Sequence, residues 1–230
     1  MKKFTKGTTV NKPDALIIFT KFPHPGKVKT RLAATIGHEK AIKFFKVCAE
    51  NIFNIAHGLN KSIETYLFYQ STKNLQAIKK WIGKEFTFLP QSGGDLGNKM
   101  TKAFEKVFEK GKSKAIIVGT DIPDIDSNLL RDAFKALDSH DIVIGPSYDG
   151  GYYLLGMKKF IPGLFVNIEW STDSVYNSTV KIINNLNYNY FELPRLHDVD
   201  TEMELLNWLN TPGGNKQFKE KLRKAVFDDE

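Results

Sequence analysis

Three cations crowd one short segment near the start of the chain. Lys27, Lys29 and Arg31 lie within Phe22-Pro23-His24-Pro25-Gly26-Lys27-Val28-Lys29-Thr30-Arg31-Leu32. The segment follows the apolar run Ala15-Leu16-Ile17-Ile18-Phe19 and precedes a helical period starting near Ile36. Strand, loop, helix is the order in which open α/β sheets build ligand sites, at the carboxyl ends of their strands. Cations beside a glycine and a helix start suit a phosphate-bearing ligand. The loop lacks the glycine spacing of a Walker loop and of the dinucleotide fingerprint. It therefore either holds phosphate in another way or is a basic turn.

Carboxylates supply the complementary chemistry. Asp121 follows the buried-strand pattern Ile116-Ile117-Val118-Gly119, where it could reach a divalent ion bridging two phosphates. Asp121-Ile122-Pro123-Asp124 is also good turn chemistry. Asp198-Val199-Asp200 places two carboxylates on one side if extended, or else charges the start of a helix capped by Thr201. Asp149-Gly150-Gly151-Tyr152 reads as a hairpin turn or as backbone that a ligand approaches closely. Asp149 is the best-placed carboxylate to act on an acceptor. A second glycine-rich loop is Gly93-Gly94-Asp95-Leu96-Gly97. Trp170 is a substrate platform or a core residue.

These residues need a scaffold that gathers them. Strand patterns at 14–20, 63–69, 86–89, 115–118, 141–144, 152–157 and 188–193 alternate with helical patterns at 38–57, 74–82, 96–109, 127–137, 173–186, 201–209 and 216–226. Such alternation implies a largely parallel sheet with helices on both faces. The strand from Tyr152 follows its predecessor after a short turn, with no room for a helical crossover. It is expected to be antiparallel. Residues 1–13 read as a flexible polar tail and 14–230 as one domain. The polar segments 22–31, Gly93–Gly97 and Gly119-Thr120-Asp121 then fall at carboxyl ends of strands and can meet in one crevice.

Composition narrows the function. With 33 basic and 26 acidic residues the net charge is +7, a mild excess that fits an anionic substrate. The lysines are dispersed, and no nucleic-acid-binding motif is present. The single cysteine, Cys48, rules out an internal disulfide or cysteine zinc site and suits a reducing compartment, so the cytoplasm is expected. No apolar stretch reaches membrane-span length.

Taken in order, the segments 22–32, Gly94-Asp95-Leu96-Gly97-Asn98-Lys99-Met100, Gly119-Thr120-Asp121-Ile122-Pro123, Gly145-Pro146-Ser147-Tyr148-Asp149-Gly150-Gly151-Tyr152-Tyr153-Leu154, Trp170-Ser171-Thr172 and Asp198-Val199-Asp200-Thr201 resemble a bacterial glycosyltransferase family. It belongs to the GT-A, nucleotide-diphospho-sugar transferase superfamily, in a branch found beside radical-SAM proteins. The resemblance spans residues 14 to 210. It implies a three-layer α/β/α sandwich with a Rossmann-like mixed sheet, mostly parallel with one antiparallel strand. It implies a transferase dependent on Mg²⁺ or Mn²⁺ that uses a nucleotide-sugar. The alternatives are a nucleotidyltransferase coupling a nucleoside triphosphate to a small phosphate- or carboxylate-bearing acceptor, and a non-catalytic nucleotide-binding module. By the same resemblance Gly26, Lys29 and Arg31 hold the nucleotide phosphates, and Gly94, Leu96 and Gly97 border base and ribose. Asp121 and Asp200 bind metal, with Asp198 beside them. The sequence Glu202-Met203-Glu204 departs from the pattern common in those relatives.

Overall fold

A computed structural model describes residues 13–59, 63–70 and 75–228. The expected N-terminal tail lies outside the described residues, apart from Pro13. Seven strands form one sheet in the order β3-β2-β1-β4-β6-β5-β7. They are β1 (Asp14–Thr20), β2 (Ile63–Tyr69), β3 (Thr87–Pro90), β4 (Ala115–Val118), β5 (Ile142–Pro146), β6 (Tyr152–Met157) and β7 (Tyr190–Glu192). All neighbours pair in parallel except β6, which is antiparallel to both β4 and β5. The chain leaves β4, crosses by a helix to β5, and turns back through residues 147–151 to fill the gap with β6. A turn that short permits only the antiparallel pairing, as the sequence implies.

Among the described residues eight α-helices surround the sheet: α1 (Thr30–Ile36), α2 (His38–Gly58), α3 (Leu75–Ile82), α4 (Leu96–Glu109), α5 (Ser127–Ser139), α6 (Val175–Asn185), α7 (Glu202–Asn210) and α8 (Lys216–Phe227). Successive strand side chains point to opposite faces. Leu16 and Ile18 of β1 therefore join α2, α3 and α5 in one core, while Ala15 and Ile17 join α4, α6 and the turn Pro162–Phe165 in another. A third cluster, built on Phe44, Cys48, Leu205, Trp208 and Leu222, fastens α7 and α8 onto α1 and α2. This is the expected sandwich with one antiparallel strand.

Several starts are chemically marked. Asp126 caps α5 by accepting from the Leu129 N–H, and Thr201 and Glu204 form a reciprocal capping box at α7. One helix was not legible. The sequence places residues 22–31 wholly in a loop, yet Thr30 starts α1. Its cations hide the period, and Lys29 enters it at φ 43, a left-handed conformation uncommon for lysine. The strand at 86–89 begins one residue later, and the last strand shrinks to three residues.

Candidate functional site

The carboxyl ends of the parallel strands open into a cavity of about 660 Å³. Topology selects what lines it. Gln70 and Gln91 come from the β2 and β3 ends, Thr20 and Lys21 from β1, and Gly119–Asp121 from β4. Ser147, Asp149 and Asp198 come from the β5–β7 side, and Leu96, Met100 and Trp170 from the α4–α6 layer. The cavity has an uncharged, hydrogen-bonding end at β2–β3 and an acidic end at β5–β7.

Lys29 organises the acidic part. Its side chain is only 4% exposed, and its ammonium lies 2.8 Å from Asp200 Oδ1 and 3.8 Å from Asp121 Oδ2. It also stands 5.7 Å from the Phe44 ring centre. Burial alone would lower the lysine pKa, but Asp121 and Asp200 reverse that and leave it raised. Burial would raise Asp200, yet Lys29, as charge and hydrogen-bond donor, with Arg31 and Lys21, brings it below the usual carboxylate range. The left-handed backbone at Lys29 turns this one cation inward, whereas Lys27 and Arg31 are exposed. Arg31 reaches Asp200 only at 3.8 Å.

Asp198 is placed otherwise. Its Oδ2 is buried and has no hydrogen-bond partner among the described residues. Burial first, then the charges of Asp149 and Asp121, push its pKa up to about 7 against the lowering pull of Lys29. Asp149 uses Oδ1 to accept from Ser147 Oγ at 2.5 Å and from the Gly151 N–H at 2.9 Å. These bonds close the β5–β6 turn, so Asp149 is a turn residue that also lines the cavity. Gly150 is required there: at φ 87, a Cβ would lie 2.0 Å from the Asp173 carbonyl oxygen.

The carboxylates are a hard-oxygen donor set of the kind Mg²⁺ takes. Among the described residues no three His, Cys, Asp or Glu side chains are grouped closely enough to hold an ion by themselves. Lys29 already engages Asp121 and Asp200. One or two carboxylates completed by substrate phosphates is the usual Mg²⁺ arrangement. The unpartnered Asp198 oxygen together with Asp121 fits that arrangement.

Asp121, Asp149, Asp198 and Leu96 thus share one cavity wall, and Lys29 ties Asp200 to Asp121. Gly26 is on the exposed outer part of the first loop and Arg31 is exposed in the first turn of α1, and Gly94 is exposed at φ 93 over the Asn98 side chain. Gly97 lies under the Trp170 ring. Sequence reasoning passed over Thr20, Lys21, Gln70, Gln91 and Ser147. Their one shared signal is position at strand ends. A stacked group flanks the site. Tyr148 stacks on His197 with centroids 3.9 Å apart, and the Arg195 guanidinium lies over both the Tyr148 and Tyr176 rings. This stack holds together the two segments that carry Asp149 and Asp198.

The family model described as an uncharacterized protein conserved in bacteria (DUF2064) matches residues 55–172, from the end of α2 to the Trp170 segment. The chain belongs to this family. A Desulfovibrio desulfuricans protein, provisionally named a nucleotide-diphospho-sugar transferase, is 31% identical. The match covers 93% of this chain and 95% of that one at a TM-score of 0.87. The inositol-1-phosphate CTP transferase of T. maritima shares the fold at 14% identity, 94% and 97% coverage and TM-score 0.54. So does the 4-diphosphocytidyl-2C-methyl-D-erythritol synthase of Anaerococcus prevotii, at 12% identity, 85% and 94% coverage and TM-score 0.54. No curated protein matches the chain. Among the described residues no helix is long and apolar enough to cross a membrane.

Proposed function

We propose that this family member is a metal-assisted transferase that takes its group from a nucleotide-sugar and passes it to a small acceptor. The observation that carries the reading is one cavity at the carboxyl edge that combines Lys21 with Asp121, Asp149 and Asp198. A nucleotide-sugar needs cations for its diphosphate and a carboxylate near the acceptor. In sugar transfer an acceptor hydroxyl oxygen forms the bond to the anomeric carbon. The bond from that carbon to the diphosphate breaks, the electron pair leaves with the diphosphate, and the acceptor loses its proton. Lys21 in the cavity, with Arg31 at the exposed start of α1, stabilises the charge gained by the leaving group, while the buried Lys29 holds Asp121 and Asp200 in place. Asp149 orients the acceptor hydroxyl and takes its proton.

Asp121 and Asp198 would hold Mg²⁺ or Mn²⁺, with Asp200 kept in place by Lys29. When bound, such an ion neutralises phosphate oxygens. The similarity to the D. desulfuricans protein supports the sugar-nucleotide reading. We place the chain in the branch found beside radical-SAM proteins, as a single cytoplasmic domain from residue 14 onward, on the ordered motifs and the lone buried Cys48.

One observation favours a second reading, nucleotidyl transfer from a triphosphate. Lys27 on the first loop and Arg31 in the first turn of α1 add exposed cations beyond what a diphosphate alone needs. The test is a thermal-shift screen of the four nucleoside triphosphates and a panel of nucleotide-sugars, with and without Mg²⁺ and Mn²⁺. Ligands that bind the native state alone raise the apparent stability. A sugar-nucleotide response supports the first reading. A response to triphosphates alone supports the second, and no response to any nucleotide refutes both.

A further inference from the structure

Trp170 packs on one side against the core beneath α4 and α6 and on the other side lines the cavity. A Cβ on Gly97, in the first turn of α4, would lie 2.3 Å from indole Cε2 and Nε1, so the ring rests directly on backbone. The ring lines the cavity and is only half-buried, which leaves indole surface for a ligand. The two other tryptophans are tied down by their ring N–H groups. Trp81 donates to Glu50 and Trp208 to Asp124. Neither of them lines the cavity. The Trp170 N–H has no hydrogen-bond partner among the described residues.

The backbone around Trp170 is strained. Asn167, three residues before it, and Ser171, next to it, sit at φ 60 and φ 66, left-handed conformations uncommon outside glycine though more readily adopted by asparagine. Strain of this kind persists where a precise placement is held by its surroundings. The holding contacts are visible: Thr172 Oγ1 donates to the Glu169 carbonyl at 2.7 Å, and the Asp173 backbone is pressed against Gly150. The strap from 167 to 173 thus spans the cavity, with its tryptophan on the α4 loop and its end on the Asp149 turn.

The ligand side matches. Leu96, 43% exposed, and Met100 give the cavity apolar surface on the same α4 turn, while Lys21 and Asp121 give it charge at the β1 and β4 ends. A nucleotide has the same division, a flat apolar ring joined to phosphates. We propose that Trp170 is the stacking platform for the nucleobase, with position 97 kept bare so that the indole can lie flat against α4. This inference rests on the nucleotide-transferase reading above. It adds a residue that sets donor position and, through the Asp173–Gly150 contact, the spacing between donor and acceptor.

The experiment is calorimetric titration of the full chain with the nucleotide giving the largest thermal shift, and separately with inorganic tripolyphosphate, which has no base. Trp170→Ala is expected to weaken the nucleotide by roughly tenfold or more, in line with base–aromatic stacking, and to leave tripolyphosphate unchanged. Trp170→Phe, which keeps a ring, is expected to stay within about threefold of wild type. A second readout needs no alanine variant. Nucleotide, but not tripolyphosphate, should change the tryptophan fluorescence of the wild-type protein, and Trp170→Phe should abolish that change. Nucleotide affinity unaffected by Trp170→Ala, equal loss of both ligands, or a fluorescence change that survives Trp170→Phe each overturns the platform. Absence of nucleotide binding by the wild type overturns the underlying reading instead, and this proposal with it.

Discussion

Replacing Asp198 with asparagine should make the protein more stable at neutral pH while impairing the proposed transfer reaction. The folded state holds the Asp198 carboxyl at a pKa of about 7, from an ordinary 3.8, because it is buried beside Asp149 and Asp121. Between those two values the folded protein binds a proton that the unfolded chain does not. Stability therefore falls as pH rises through this window. A shift of roughly three pH units at about 1.4 kcal/mol each sets an upper limit near 4 kcal/mol. Asp198 keeps some contact with solvent, and water screens part of the repulsion. The expected gain for Asp198→Asn at pH 8 is thus about 1–2 kcal/mol. The assay is urea unfolding at pH 4.5 and pH 8 in EDTA. The wild type should lose stability between the two conditions, and the variant should lose less. Adding Mg²⁺ at pH 8 should narrow the gap by stabilising the wild type alone. A variant no more stable than wild type at pH 8, with a parallel pH dependence, would refute the assignment of Asp198 as a buried charge without a partner.

Lys29→Met should destabilise by about 2 kcal/mol, since it strands two carboxylates that are 48% and 41% exposed and can partly rehydrate. The depressed Asp200 carboxyl contributes stability above its unfolded pKa that is lost as pH falls through the folded value. Denaturation curves below pH 5 should therefore be shallower for the Lys29 variant than for wild type. Gly150→Ala should cost about 2 kcal/mol or more in chemical denaturation, because it combines a positive φ with a 2.0 Å clash against Asp173 backbone. Arg31→Ala, exposed in the first turn of α1, should leave unfolding unchanged and weaken diphosphate ligands about tenfold against the free nucleoside in competition titrations; equal loss for both would place Arg31 outside phosphate binding. Asp149→Asn should keep the turn, because asparagine can still accept from Gly151, and should preserve nucleotide affinity. Product formation reduced tenfold or more would assign Asp149 to the acceptor, whereas near-normal turnover would leave it a turn residue.

Much of this molecule is determined locally and was therefore legible in one dimension. Ile63–Tyr69, Ala115–Val118 and Tyr152–Met157 occupy the strands their side-chain patterns imply, because β-branched and aromatic runs bounded by turn residues have few other ways to bury themselves. The short connection before Tyr152 forces an antiparallel strand, and Thr201 with Glu204 closes the capping box on its own helix. Asp121, Asp149 and Asp198 were legible as candidates because each follows a strand or turn pattern.

Which side chains meet was not written in any local pattern. Lys27, Lys29 and Arg31 look alike along the chain, yet only Lys29 turns inward, to Asp200 lying 171 residues away. A left-handed backbone and the packing of α1 against α2 decide that. Trp170 and Gly97 meet because two separate helix-side segments cover the same face of the sheet, and the Tyr148–His197 stack forms because β5 and β7 lead their loops side by side. The sequence by itself determined the strands, the caps and the types of residue at the strand ends. The tertiary structure alone decided which cation is neutralised, which carboxylate is left without a partner and which tryptophan faces the cavity, since charge coupling and burial depend on distances that chain order does not contain.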